Sequence, residues 1–160
     1  TQAKTLFPYT TLFRSMYYDP ENFDNSDLDP YDVADKAEMI AVDCGIRIMR
    51  NKELKFVALD NSYSDPVVGG LWTAIYHDSD ENAEVYEFDV VVDKEFRGQG
   101  RIGLKLIDAA LDDYRSLDVE NKYIRVWVVN PKLARVLERK YGFNIEADHL
   151  DGSVHMVYYG

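Results

Sequence analysis

Between residues 46 and 92 four segments rich in β-branched and aromatic residues follow one another with no room for a helix between them: Ile46–Arg50, Leu54–Leu59, Val67–Tyr76 and Val85–Val92. Such residues suit a pleated, half-buried surface. The connections, Asn51-Lys52, Asp60 to Pro66 and Asp78 to Asn82, are short and made of turn-forming residues. A parallel crossover needs a dozen or more residues, so these neighbours are predicted to pair antiparallel, as a meander.

The flanking elements have equally local signals. Asp29 before Pro30 reads as an N-cap with proline at the first helical position; Ala34, Ala37, Ile40, Ala41 and Cys44 recur at helical spacing, and Gly45 closes the helix. A second helix is predicted from about Gly100 to Arg115, with Ile102, Leu106, Ala109, Ala110 and Leu111 along one face. Tyr123 to Val129 reads as a buried strand, Pro131 to Tyr141 as a helix stopped by Gly142, and His155 to Tyr159 as a last strand. The order predicts an α/β (α+β) fold, one domain whose mixed, mostly antiparallel central sheet is flanked by helices. A chain of 160 residues, 46% of them apolar, can bury one sizeable core and is short for two. Trp72, Trp127 and Tyr86 are expected in that core.

The first residues look foreign to the rest. Thr5 to Ser15, TLFPYTTLFRS, resembles one reading frame of a widely used short-read sequencing adapter over all eleven residues, and Met16 follows at once. Residues 1–15 are therefore expected to be a non-native leader, with an ordinary N-terminal strand as the alternative; without a charged n-region leading into an apolar run, a signal peptide fits poorly. Residues 16–29, rich in Tyr, Asp, Asn and Ser, read as an acidic arm that packs weakly, and 30–160 as the folded domain. The lone Cys44 excludes an internal disulfide, no run of about 18 apolar residues could cross a bilayer, and a reducing cytoplasm is the expected location. His77, His149 and His155 lack the paired spacing of a histidine metal site, so no metal is expected.

Gly98 to Gly103, GQGRIG, spells the GxGxxG fingerprint of dinucleotide-binding units. In such a unit the strand runs straight into the first glycine, and an acid at the end of the next strand takes the ribose hydroxyl. Here Asp93 to Arg97 intervene, and the next strand ends at Asn130. What the segment keeps is an anion cradle: glycines admit close backbone approach, the first helical turn has N–H groups without intrahelical partners, and the helix dipole favours phosphate there. Arg97, Arg101 and Lys105 add positive charge in a chain of formal net charge −11. A glycine-rich turn bearing three solvated bases is the alternative reading of this segment by itself.

The wider string Val92-Asp93-Lys94-Glu95-Phe96-Arg97-Gly98-Gln99-Gly100 resembles the acetyl-CoA motif of the GNAT superfamily of N-acetyltransferases, in which a valine-rich strand ends in V-D-P-E-[YF]-R-G-x-G-x-G and enters a helix. A second family signature follows: a strand ending in asparagine (RVWVVN), a helix (PKLARVLERKY), then Gly142-Phe143. The resemblance covers roughly Val67 to Tyr159 and departs in two places. The loop carries one extra residue, so either Ile102 takes the place of the family's last small residue or Arg101 is an insertion and Gly103 serves. Where many members have a proton-donating tyrosine, this chain has Glu138, with Leu137 beside it and Tyr141 nearby.

The resemblance implies acetyl-CoA as co-substrate, with the pantetheine arm along Val90, Val91 and Val92, the pyrophosphate over Arg97, Gly98, Gln99, Gly100, Arg101, Ile102 and Gly103, and Asn130 against the ligand. It implies acetyl transfer to a primary amine by direct attack on the thioester, an oxyanion held by a main-chain N–H of the strand ending at Val92, and a base for the amine proton. Glu87 and Asp89 share one strand face and are the candidates, Glu87 preferred for reach; both decorating a wet sheet face is the other reading. Nine acids against one base between Met16 and Asp43, and a similar bias from Asp78 to Glu95, would concentrate cations and repel nucleic acid, although acidity also serves solubility. The expected acceptor is thus a polyamine, an aminoglycoside or a protein amine, with no nucleic acid or membrane partner and a homodimer as the only assembly considered. A catalytically silent acyl-CoA-binding or protein-interaction module on the same fold is the alternative function.

Overall fold

Three strands, rather than four, form between residues 46 and 92 of the computed structural model, which describes residues 13–23, 25, 27–98 and 101–160, with side chains from residue 15. In chain order the elements are β1 (Phe13–Tyr17), α1 (Pro30–Asp43), β2 (Glu53–Asp60), β3 (Val67–Asp78), β4 (Ala83–Val92), a 3-10 turn (Lys94–Phe96), α2 (Ile102–Arg115), β5 (Lys122–Val128), α3 (Pro131–Val136), a π-helical turn (Leu137–Tyr141), β6 (Asn144–Asp148) and β7 (Val154–Tyr158). The strands make a seven-stranded sheet in the order β1-β2-β3-β4-β5-β7-β6. The mixed α/β, mostly antiparallel architecture is as expected. Its parallel ladder joins β4 to β5, whose connection contains α2 and is long enough to cross over.

The chain forms two compact units, Thr1–Trp72 with Val90–Asp113 and Thr73–Asp89 with Tyr114–Gly160. In the first, α1 begins as its sequence dictates: the Asp29 carboxylate accepts from Tyr31 N at 2.9 Å, Pro30 opens the helix, and Gly45 takes φ +73° just past its end. Val33, Ala37, Ile40 and Ala41 bury their side chains with Val57, Leu59, Val67, Trp72 and Val91. Met16, Tyr18, Phe23 and Leu28, from the stretch expected to pack weakly, lie against this cluster, and Tyr18 donates its hydroxyl to the Pro30 carbonyl at 2.7 Å. β1 takes in the last three residues of the supposed leader and pairs antiparallel with β2, Phe13↔Asp60 to Tyr17↔Phe56; residues 1–12 of that leader lie outside the described residues.

The strand expected at Ile46–Arg50 does not form. β2, the strand that follows it across the Asn51-Lys52 turn, is flanked in the sheet by β1 and β3, so neither edge of β2 is open to that segment. Ile46 and Ile48 instead pack on the cluster from a loop, and Ile46 N donates to the Ala41 carbonyl at 2.9 Å.

In the second unit Ala83, Val85, Tyr123 and Val157 form a small cluster. β4 and β5 pair from Glu84↔Lys122 to Glu87↔Arg125, and there the ladder stops, although β4 runs on to Val92 and β5 to Val128. β5 pairs β7 antiparallel, and β6, which the sequence did not announce, pairs the outer edge of β7. The expected helix over residues 131–141 is α-helical only to Val136 before widening into the π turn, which Gly142 ends at φ +79°.

Candidate active site

The glycine loop lies in the first unit. Past Val92, the Asp93 carboxylate caps the 3-10 turn by accepting from Glu95 N at 3.0 Å, and Asp93 N donates to the Val68 carbonyl at 2.8 Å. Phe96 is buried, edge-on to Tyr63 at 5.1 Å between ring centroids, so the loop is pinned where it leaves the strand. Arg97 is exposed and its Nε donates to the Val92 carbonyl at 3.3 Å; the same oxygen is 3.6 Å from the Cys44 sulfur. Gly98 has φ +78°, a region that side chains disfavour. Gln99 and Gly100 lie outside the described residues.

Arg101 is exposed at φ +56°, left-handed without being glycine, and its carbonyl accepts from Lys105 N at 3.0 Å to close the first turn of α2. The N–H groups of Ile102 and Gly103 precede that bond and have no carbonyl four residues back within the helix. Ile102 buries its side chain, whereas a Cβ on Gly103 would stand 3.5 Å from Val92 Cγ2. Val91 is buried in the core cluster, while Val90 and Val92 are partly exposed.

The candidate bases lie in the second unit. Glu87 and Asp89 are both partly exposed, with Phe88 buried between them. Tyr76 of β3 donates its hydroxyl to Glu87 Oε1 at 2.6 Å, and the Arg125 guanidinium hydrogen-bonds the same phenol. Arg125 Nε lies 3.4 Å from Glu146 Oε2. Burial, and then the Glu87 hydrogen bond and charge, push the Tyr76 phenol up to about 12. Trp127, expected in the core, is 55% exposed and stacks on His155 at 6.4 Å between ring centroids. Its position two residues from Arg125 puts it on the same open face of β5, while Ile124, Val126 and Val128 are buried. Tyr86 and Trp72 are core residues, as expected.

Asn130 caps α3, its Oδ1 accepting from Lys132 N at 2.9 Å. At the position of the missing tyrosine Glu138 is exposed and Leu137 buried; Tyr141 is partly buried, with Lys140 Nζ 5.6 Å from its ring centroid. The sequence reading missed Tyr76 and Arg125. Their signal was the pairing register, Glu87↔Arg125 across the parallel ladder and Tyr76 to Glu87 across a hairpin, which composition does not reveal. Among the described residues no group of three or more His, Cys, Asp or Glu could hold a metal ion, and no helix is long and apolar enough to cross a membrane.

Residues 12–143 match the family model described as the acetyltransferase (GNAT) family. No match was found among curated proteins. Among solved structures, the chain is similar to one from the NatC complex bound to Gag peptide and CoA, at TM-score 0.67 and 15% identity over 92% of this chain and 98% of that one. It is similar to yncA of Salmonella typhimurium, a putative acetyltransferase with its cofactor acetyl-CoA, at TM-score 0.58 and 14% identity over 92% and 94% of the two chains. An aminoglycoside acetyltransferase from an uncultured soil metagenomic sample, in complex with trehalose, aligns at TM-score 0.53 and 18% identity over 87% and 91%. At these identities the structural likeness bears on the fold.

Proposed function

Because the chain belongs to the acetyltransferase (GNAT) family and is an acetyl-CoA-dependent N-acyltransferase, we propose that it acetylates a primary amine of a cationic acceptor, in a reducing cytoplasm, with Glu87 collecting the amine proton. The observation that carries the cofactor half of this reading is the loop from Arg97 to Gly103. Gly98 takes a left-handed turn, α2 opens with main-chain N–H groups at its mouth, and Arg97, Arg101 and Lys105 lend positive charge. The residues suit a diphosphate. The four-pair ladder between β4 and β5 supports a pantetheine arm laid along β4 like an added strand.

The chemistry asked of the chain is modest. An ammonium group first gives a proton to Glu87, or to Asp89 on the same strand, directly or through water. The free amine attacks the thioester carbonyl, a C–N bond forms, and the oxyanion is met by a main-chain N–H of β4. The adduct's nitrogen loses its extra proton to solvent water, collapse breaks the C–S bond, and the departing thiolate takes a proton from solvent, since Glu138 stands where a tyrosine donor is expected. The acceptor class rests on the acidic runs of the sequence, and the peptide and aminoglycoside named for two of the similar structures are consistent with an amine.

The test follows free-thiol release from acetyl-CoA with spermine, kanamycin and a lysine-rich peptide, alongside calorimetric binding of CoA. Turnover with at least one of these amines is expected. Gly98→Val should weaken CoA binding by about tenfold or more, because a β-branched residue resists φ +78°. CoA binding without turnover would favour a silent acyl-CoA-binding module; CoA affinity untouched in a folded Gly98→Val protein would refute the cradle.

A further inference from the structure

We propose that Tyr76 is a positioning residue for acetyl transfer: its hydroxyl fixes one oxygen of Glu87 and so sets where the base stands. This rests on the reading of Glu87 as proton acceptor. A glutamate on a partly exposed strand face has three rotatable bonds, and proton collection needs one of its oxygens held in one place. The 2.6 Å bond from Tyr76 to Oε1 supplies that restraint from the neighbouring strand. Tyr76 is itself held, since Arg125, which faces Glu87 in register on β5, hydrogen-bonds its phenol and is steadied by Glu146.

A hydroxyl donating to an ionised carboxylate makes a short, strong hydrogen bond, and the donor here is the Tyr76 phenol. The phenol stays protonated far above neutrality, so the donor is present over the whole working range. Tyr76 is singled out because its hydroxyl donates directly to Glu87 Oε1.

The experiment compares the unchanged protein with Tyr76→Phe, Glu87→Gln and the double variant, using the best acceptor among spermine, kanamycin and the lysine-rich peptide. Tyr76→Phe keeps the ring, and thermal melting checks that each variant folds. Glu87→Gln is expected to lower kcat by about 100-fold. Tyr76→Phe should lower kcat by about 10-fold with KM for acetyl-CoA unchanged, and have little further effect in the Glu87→Gln background. Equal effects of Tyr76→Phe in both backgrounds, or an unchanged kcat in the single variant, would overturn the proposal. A Glu87→Gln variant with full activity would instead remove the reading on which it rests, and the two failures are told apart by that single variant.

Discussion

Gly69 shows how one atom can be decided by its neighbours. A Cβ at this position would lie 2.6 Å from the Val91 carbonyl oxygen and 3.4 Å from a Leu106 methyl, so β3 can approach β4 here only as glycine. Nothing in the run VVGGLW tells which glycine carries the constraint; only the facing carbonyl does. Gly69→Ala is expected to destabilise the protein by about 1–3 kcal/mol through overpacking, read as a lower urea midpoint, and an unchanged midpoint would mean that the two strands can separate at little cost. At the same scale the sequence did well where a residue's role is local. Asp29 and Pro30 start a helix and Gly45 and Gly142 end one, because caps and positive φ depend on the residue itself and its immediate neighbours. It did poorly with Trp127 and Tyr76, whose roles depend on strand parity and register.

Among the elements, β6 was illegible for a physical reason. Asn144–Asp148 is a short, largely exposed edge strand, bulged between Ile145 and Ala147, and its alternation rests on one isoleucine and one alanine in five residues, too little to stand out from a loop. Ile46–Arg50 failed for a different reason: β2, its neighbour in the chain, already has β1 and β3 on its two edges. The β6–β7 pair also carries a pH-sensitive contact, His149 Nε2 at 2.7 Å from His155 Nδ1. Burial, then the charges of Arg125 and His149, hold the His155 imidazole below its usual range, against opposing influences from Glu146 and Glu87. The unfolded chain takes up that proton near pH 6.5, and the folded one resists it. Below about pH 6.5 the unfolded state therefore binds more protons, and stability should fall as the solution is acidified. Urea midpoints at pH 7.5 and 5.5 should differ more for the unchanged protein than for His155→Gln; equal differences would show that His155 has no part in the pH dependence.

For the molecule as a whole, the side-by-side succession of β2, β3 and β4 was legible because short turns force neighbouring strands to pair. The acceptor was not, since charge alone chose it. With a net charge of −11, a cationic amine should be drawn in from beyond contact range at low ionic strength. The Debye length shrinks from about 30 Å at 0.01 M salt to about 3 Å at 1 M, so KM for a polyamine should rise severalfold across that range while KM for a neutral amine stays level. A polyamine KM indifferent to salt would assign the acidity to solubility instead.

One feature of the loop region gives the molecule a built-in observer. Cys44 is the only cysteine of the chain, and its sulfur lies 3.6 Å from the carbonyl oxygen of Val92. The stretching vibration of that lone S–H bond falls in a nearly empty window of the infrared spectrum and shifts with the strength of the contact it makes. Anything that lays itself along the end of β4 and competes for this carbonyl would thus write its arrival into one isolated band, without a dye, a label or a turnover assay.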